Sequence, residues 1–135
     1  MVRNKAVALA GLLRRMDPVL NPGRYAFVSI PHGVALDPDL VVALIRESQG
    51  LSVIVPEEVA REMRLAVAFS AAWITLAVHS DLAAVGFTAA FSRALGDAGI
   101  SCNVVAGVQH DHLFVPVEQA QSAMAVLEAL ARSNA

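Results

Sequence analysis

The sequence predicts an α+β unit in which two βα-type halves pack together and helices cover one face of a sheet. Three observations lead there. A chain of 135 residues has the size of one compact unit and can bury roughly 68% of its unfolded surface. Both halves read strand, helix, strand, helix, with no low-complexity tract and no repeat of solenoid period. Neither half is large enough to hold much of a core alone, so the two share one. The N-terminal half is placed at residues 1–66 and the C-terminal half at 67–135.

Each element follows from local chemistry. In "MVRNKAVALAGLLRRM" the residues Leu9, Leu12, Leu13 and Met16 fall at i, i+3, i+4 and i+7, one face of an amphipathic helix. Basic residues before a short apolar run also imitate an export signal, but Arg14 and Arg15 follow at once. "MDPVLNPGR" is turn chemistry, and "YAFVSI" is a strand by its aromatic and β-branched content. The stretch "DPDLVVALIRESQG" is expected to be a helix: Asp37 caps it, Pro38 suits its first position and Gly50 stops it. "LSVIV" is the next strand, ended by Pro56 before the short helix "EEVAREM". In the second half "WITLAVHS", residues 73–80, alternates Ile74, Leu76 and Val78 against Trp73, Thr75 and Ala77. The loop "SDLAAVG" feeds the helix "FTAAFSRALGDAG", with an apolar stripe of Phe87, Ala90, Phe91, Ala94 and Leu95 ending at Gly99. "ISCNVVA" and "HDHLFVP" are strands joined by a turn at residues 107–109, and Pro116 ends the second before a last helix over 117–132.

Composition excludes several classes. A net charge of -2 with scattered arginines gives no basic footprint, so no nucleic-acid partner is expected. The longest charge-free run, residues 65–80, is shorter than the roughly 20 apolar residues of a spanning helix, so no membrane is expected. The single Cys102 excludes an internal disulfide and fits a reducing, cytoplasmic setting. An apolar fraction of 56% exceeds the usual 45 to 50% or so. The sheet face without helices is the natural place for the surplus, with Trp73 as an anchor, and a homodimer is the expected way to cover it.

At "VHSDLAAVGFTAAFSRALGDAGISCNVVAGVQHDHLFVP" the order of elements and the residue choices resemble the ACT domain, a small regulatory βαββαβ module that binds amino acids. The earlier stretches "LLRRMDPVLNPGRYAFVSIP" and "GLSVIVPEEVA" resemble the N-terminal half fused to it in small stand-alone proteins with tandem ACT-like halves, related to the regulatory part of aspartate kinase. The resemblance implies a ferredoxin-like fold and a non-enzymatic regulatory module for a small amino acid, with no cofactor. It implies ligand contacts at Ser80, Asp81, Val85 and Gly86, joined by Asn103 and Asp111 from the strands. No Gly-rich phosphate loop is present, so kinase activity does not come with the likeness.

Several of these positions have an independent reading. Amide groups at a helix start favour an anion such as a carboxylate, although Ser80 and Asp81 could equally cap that helix. Gly86 lets a neighbouring backbone or ligand approach closely. Asn103 interrupts an apolar strand, and alternation sets it opposite Cys102 and Val104, just as Asp111 is set opposite His110 and His112. His79, His110 and His112 together would make a three-imidazole metal site and a metal-dependent enzyme. No HExxH or CxxC spacing supports that alternative, and the remaining one is a purely structural dimerisation domain.

Overall fold

The structure, a computed structural model, describes residues 2–135, with side chains from Ala8 onward. Helix α1 (Val2–Arg14) opens the chain, as the leucine spacing predicts, and sets Leu13 in the core, with Met16 following just past its end. The turn segment that follows contributes a three-residue strand, β1 (Pro18–Leu20), and leads into β2 (Tyr25–Ile30).

The expected helix over residues 37–50 does not form. Asp37 does cap, its carboxylate accepting from the Asp39 amide at 3.0 Å, but only a single 3-10 turn, Pro38–Leu40, follows. The chain then becomes strand β3 (Ala43–Glu47), which turns back into β4 (Gly50–Pro56). Consecutive β-branched Val41 and Val42 and then Ile45 favour extended backbone, and the neighbouring β4 satisfies it. Gly50 is therefore the return point of a hairpin and not a helix stop. Its φ is +151°, and a Cβ there would lie 2.5 Å from the Ile30 carbonyl oxygen, so a side chain is excluded by the adjacent strand.

Pro56 ends β4 as expected, and the short helix α2 (Glu57–Glu62) follows. Strand β5 (Phe69–Leu76) starts and ends about four residues earlier than the expected 73–80, so His79 lies in a loop. Helix α3 (Phe87–Asp97) buries Phe87, Phe91 and Leu95, the predicted stripe. Strands β6 (Asn103–Ala106) and β7 (Asp111–Pro116) form the last hairpin. A 3-10 turn, Val117–Gln119, then leads into helix α4 (Ala120–Arg132).

All pairings are antiparallel, in the order β3-β4-β2-β5-β7-β6, with β1 paired to β5. Because directly opposed residues share a face, the register Tyr25↔Ala71 and Thr75↔His112 fixes which side each residue takes. On one face Ala72, Ile74, Leu76, Leu113 and Val115 meet Leu13 of α1, Phe91 and Leu95 of α3 and Leu127 of α4. Ala26, Val28, Val53 and Val55 on the same face meet Val59 and Ala60 of α2. Helices thus cover a single side, as expected.

The other face carries an aromatic layer. Tyr25 packs edge-on against Trp73 with centroids 5.2 Å apart, and Phe27 does the same with Phe69 at 5.5 Å and Phe114 at 5.4 Å. Val42 and Ala43, at the start of β3, and Val105 of β6 join this one cluster, although they stand at opposite ends of the strand order. The sheet therefore curls until its two edges approach, and the curl covers part of the apolar surplus within the chain.

Candidate functional site

Past Leu76 the chain leaves the sheet but stays tied to the end of α1. The Ala77 amide donates to the Asp17 carbonyl at 3.1 Å and the Val78 amide to that of Met16 at 3.4 Å. A turn closed by the Ala84 amide on the Asp81 carbonyl (3.0 Å) then brings the chain to Gly86, the N-cap of α3. Gly86 has φ +96°, and no side chain accepts from the first amides of the helix. The capping alternative for Ser80 and Asp81 is therefore not what the structure contains. Ser80 is buried, whereas Asp81 and Val85 are exposed.

Between this loop and α1 lies a cavity of about 420 Å³, within the range of small-molecule sites. Ala8, Leu9 and Leu12 of α1 form one wall together with Arg15 just past its end, and His79, Asp81, Ala83, Ala84 and Val85 form the loop wall. Leu9 also explains Gly86: a Cβ on that residue would stand 3.1 Å from Leu9 Cδ2. The close approach that glycine permits here is to a leucine of α1. His79 Nε2 stands 3.7 Å from Asp81 Oδ1, with both side chains largely in solvent. Arg15 makes no ion pair among the described residues. The cavity thus offers a guanidinium on one side and a carboxylate on the other over a short apolar floor. Sequence reasoning missed Arg15. Its signal was present, since Arg15 follows directly on α1 and stands three positions after Leu12.

The two strand residues of the expected site do not join it. Asp111, paired with Leu76 at the mouth end of β5, turns to the helix side and is buried. Burial pushes its carboxyl above the ordinary range, an effect partly offset by neighbouring His112. Asn103, paired with Phe114, is on the opposite face, and it lines a different cavity with Cys102. Burial raises the Cys102 thiol to about 11, which leaves it protonated and unreactive at neutral pH.

The histidines do not converge either. His112 Nδ1 accepts from the Trp73 indole N–H at 3.0 Å and lies 3.1 Å from Thr75 Oγ1, while Asn21 Nδ2 donates to that hydroxyl at 2.9 Å. Burial and the neighbouring His110 hold His112 below the usual imidazole range, against a smaller opposing effect of Asp111. His110 Nδ1 faces the Val78 carbonyl at 3.4 Å. Among the described residues no group of three or more His, Cys, Asp or Glu side chains could hold a metal ion. Nor is any helix among them long and apolar enough to cross a membrane. Trp73, expected as an anchor for a partner, has its hydrogen bond and ring contacts inside the chain.

Two family models of the ACT domain match, one over residues 7–72 and the other over 69–129. A search of curated proteins gives no match. Among solved structures, a protein of unknown function from Vibrio cholerae, described as a possible transport protein, is 38% identical. The match covers 94% of this chain and 98% of that one, at a TM-score of 0.83. The ligand-free regulatory subunit of aspartate kinase from Thermus thermophilus is 13% identical over 84% of this chain and 95% of its own, at a TM-score of 0.61. A putative C-terminal regulatory domain of aspartate kinase from Porphyromonas gingivalis is also 13% identical, over 83% and 94%, at 0.54. At that identity the two aspartate kinase domains share the fold alone, and it is the ferredoxin-like ACT arrangement of an antiparallel sheet with helices on one face.

Proposed function

Because the chain belongs to the ACT domain family, whose members are generally regulatory, ligand-binding modules and non-catalytic in themselves, we propose that it is a cytoplasmic, non-enzymatic sensor of a small amino acid or similar zwitterion. The observation that carries the reading is the cavity between α1 and the loop of residues 79–85, with Arg15 and Asp81 on facing walls. An amino acid carries its two charges on neighbouring atoms. Arg15 would take the carboxylate through its planar fork of donors, and Asp81 would take the ammonium group. Leu9, Leu12 and Val85 leave room for a short apolar side chain. Ser80 and Gly86 support the loop from behind, while Asn103 and Asp111 stay outside the site. In this reading the two halves are residues 1–66 and 67–135, and the second supplies the loop that closes over α1 of the first.

A thermal-shift screen of the twenty common amino acids tests it. A ligand at a hundred times its dissociation constant adds about 2.7 kcal/mol to the folded state. The expected result is an upward shift for one amino acid or a narrow group, lost in Arg15→Ala and in Asp81→Asn. No shift with any amino acid, or a shift that both variants retain, overturns the assignment.

A homodimer belongs to the same reading, and an area argument favours it. A monomer of 14.2 kDa is expected to expose about 6,800 Å², and this chain exposes 8034 Å². Leu40, Leu44 and Ile45, at and just before the outer strand β3, are exposed. Light scattering at micromolar concentration should give twice 14.2 kDa, and a monomer mass unchanged by ligand would refute the pairing. A dimer that binds no amino acid would leave the purely structural alternative.

A further inference from the structure

We propose that the cleft between the two ends of the curled sheet is a second ligand site, separate from the α1 loop cavity, that takes a small, uncharged and mainly apolar molecule. The cleft measures about 460 Å³, again the size of a small-molecule site. Its floor includes Phe27 and Ile54, and Phe27 is held in place by edge-on contacts with Phe69 and Phe114. Ala43 and Ile45 form one bank, and Asn103 and Val105 form the other. The banks come from the two outermost strands of the sheet, and one buried cluster, against which both Ala43 and Val105 pack, bridges them. Beyond that bridge they part, and the space between them is the cleft.

The lining decides the chemistry of the occupant. No Lys, Arg, His, Asp or Glu side chain lines the cleft, so neither a carboxylate nor an ammonium group would be compensated there, and burying an unpaired charge is costly. The polar side chains of the lining are Ser29, Ser52 and Asn103, whereas the neighbouring Cys102 packs into the helix-face core. Ser52 Oγ already donates to the Glu47 carboxylate. The Ser29 hydroxyl and the Asn103 amide make no hydrogen bond to another described residue. They are the two groups left to orient a ligand, one from β2 and one from β6. A neutral aromatic or aliphatic ring with one or two hydrogen-bonding groups fits this lining. The contrast with the loop cavity, which has Arg15 and Asp81, makes the two sites chemically distinguishable.

Indole is the probe, since it is neutral, apolar and carries one N–H donor, and benzoate of similar size is its charged control. Amide NMR spectra titrated with millimolar indole should show shifts confined to Ser29, Ser52, Asn103, Val105 and their neighbours, and benzoate should show none. Filling the cleft by Ala43→Phe, or separately by Ser29→Phe, should abolish the indole shifts, whereas Arg15→Ala should leave them intact. Absence of shifts in the cleft at millimolar indole, equal binding of benzoate, or loss of the shifts in Arg15→Ala would each overturn the proposal. Failure of the amino acid screen would leave this site untouched.

Discussion

Replacing Gly86 by alanine tests whether α1 is seated on the loop in the way the candidate site requires. Two costs are legible in the structure. Gly86 has φ +96°, where an L side chain is strained by roughly 1–2 kcal/mol. The added Cβ would stand 3.1 Å from Leu9 Cδ2, tighter than ordinary contact, and the leucine tip must give way at about 1 kcal/mol, the low end for overpacking. Together they predict a loss of about 2–3 kcal/mol. With an unfolding entropy of about 2.1 cal/mol/K per residue, 135 residues give about 0.28 kcal/mol/K. The melting temperature should then fall by about 7–11 °C, measured by circular dichroism. A double-mutant cycle separates the two costs, because Leu9→Ala removes the contact and leaves the backbone strain. The combined variant should lose about 1 kcal/mol less than the sum of the single changes. Strict additivity would mean that Leu9 does not rest on Gly86, and the helical wall of the cavity would have to be drawn again.

Other perturbations test the remaining packing and titration claims. Gly50→Ala should cost about 3 kcal/mol or more, since the new Cβ meets a backbone carbonyl of β2 at 2.5 Å; urea denaturation showing a loss under about 1 kcal/mol would contradict the hairpin geometry. Asp111 has a raised carboxyl pKa from burial, so the folded state holds its proton to higher pH than the unfolded chain, and stability falls as pH rises through that window. Asp111→Asn should therefore stabilise at pH 7 and give no gain below the ordinary carboxylate range near about 3.9, a crossover read from unfolding curves at several pH values. His112 has a lowered pKa, so on acidification the unfolded chain takes up the proton first and stability drops below about pH 6.5. Protonation would also set an N–H against the Trp73 indole N–H, so His112→Asn should flatten that loss between pH 7 and 5, and an unchanged slope would refute the role given to the Trp73 contact.

Most of the fold was legible because short-range chemistry and long-range packing agree along most of the chain. The Leu9, Leu12, Leu13 and Met16 spacing, the Phe87, Phe91 and Leu95 stripe and the Pro56 and Pro116 stops each have one physical solution, and the structure adopts it. Residues 37–50 are the exception. Asp37 and Pro38 are sound helix-start signals and were used, but for one 3-10 turn only. What overruled them was tertiary: a free edge on β4, reached after only Ser48 and Gln49, pairs with Ala43–Glu47, and weak helix propensity through Val41, Val42 and Ile45 could not compete. Periodicity alone cannot separate these outcomes when an apolar run is short.

The site was legible only in part, for a reason that lies in the direction of side chains. Sequence order gathers Ser80, Asp81, Val85 and Gly86 by adjacency, and they do form one loop. Alternation correctly set Asn103 with Val105 and Asp111 apart from His112, yet it carries no information on which face of one strand matches which face of another. That information is in the register. Asn103↔Phe114 and Ala106↔Asp111 put the amide on the concave face and the carboxylate on the helix face, so two residues expected to share a ligand are divided by the sheet itself. The missed residue, Arg15, illustrates the converse. It is 64 residues or more from the loop it faces, and only the ties from Ala77 and Val78 back to Asp17 and Met16 bring the end of α1 to that loop. A charge that reads as an isolated surface arginine along the sequence becomes, through two backbone hydrogen bonds, the counterpart of Asp81 across a cavity.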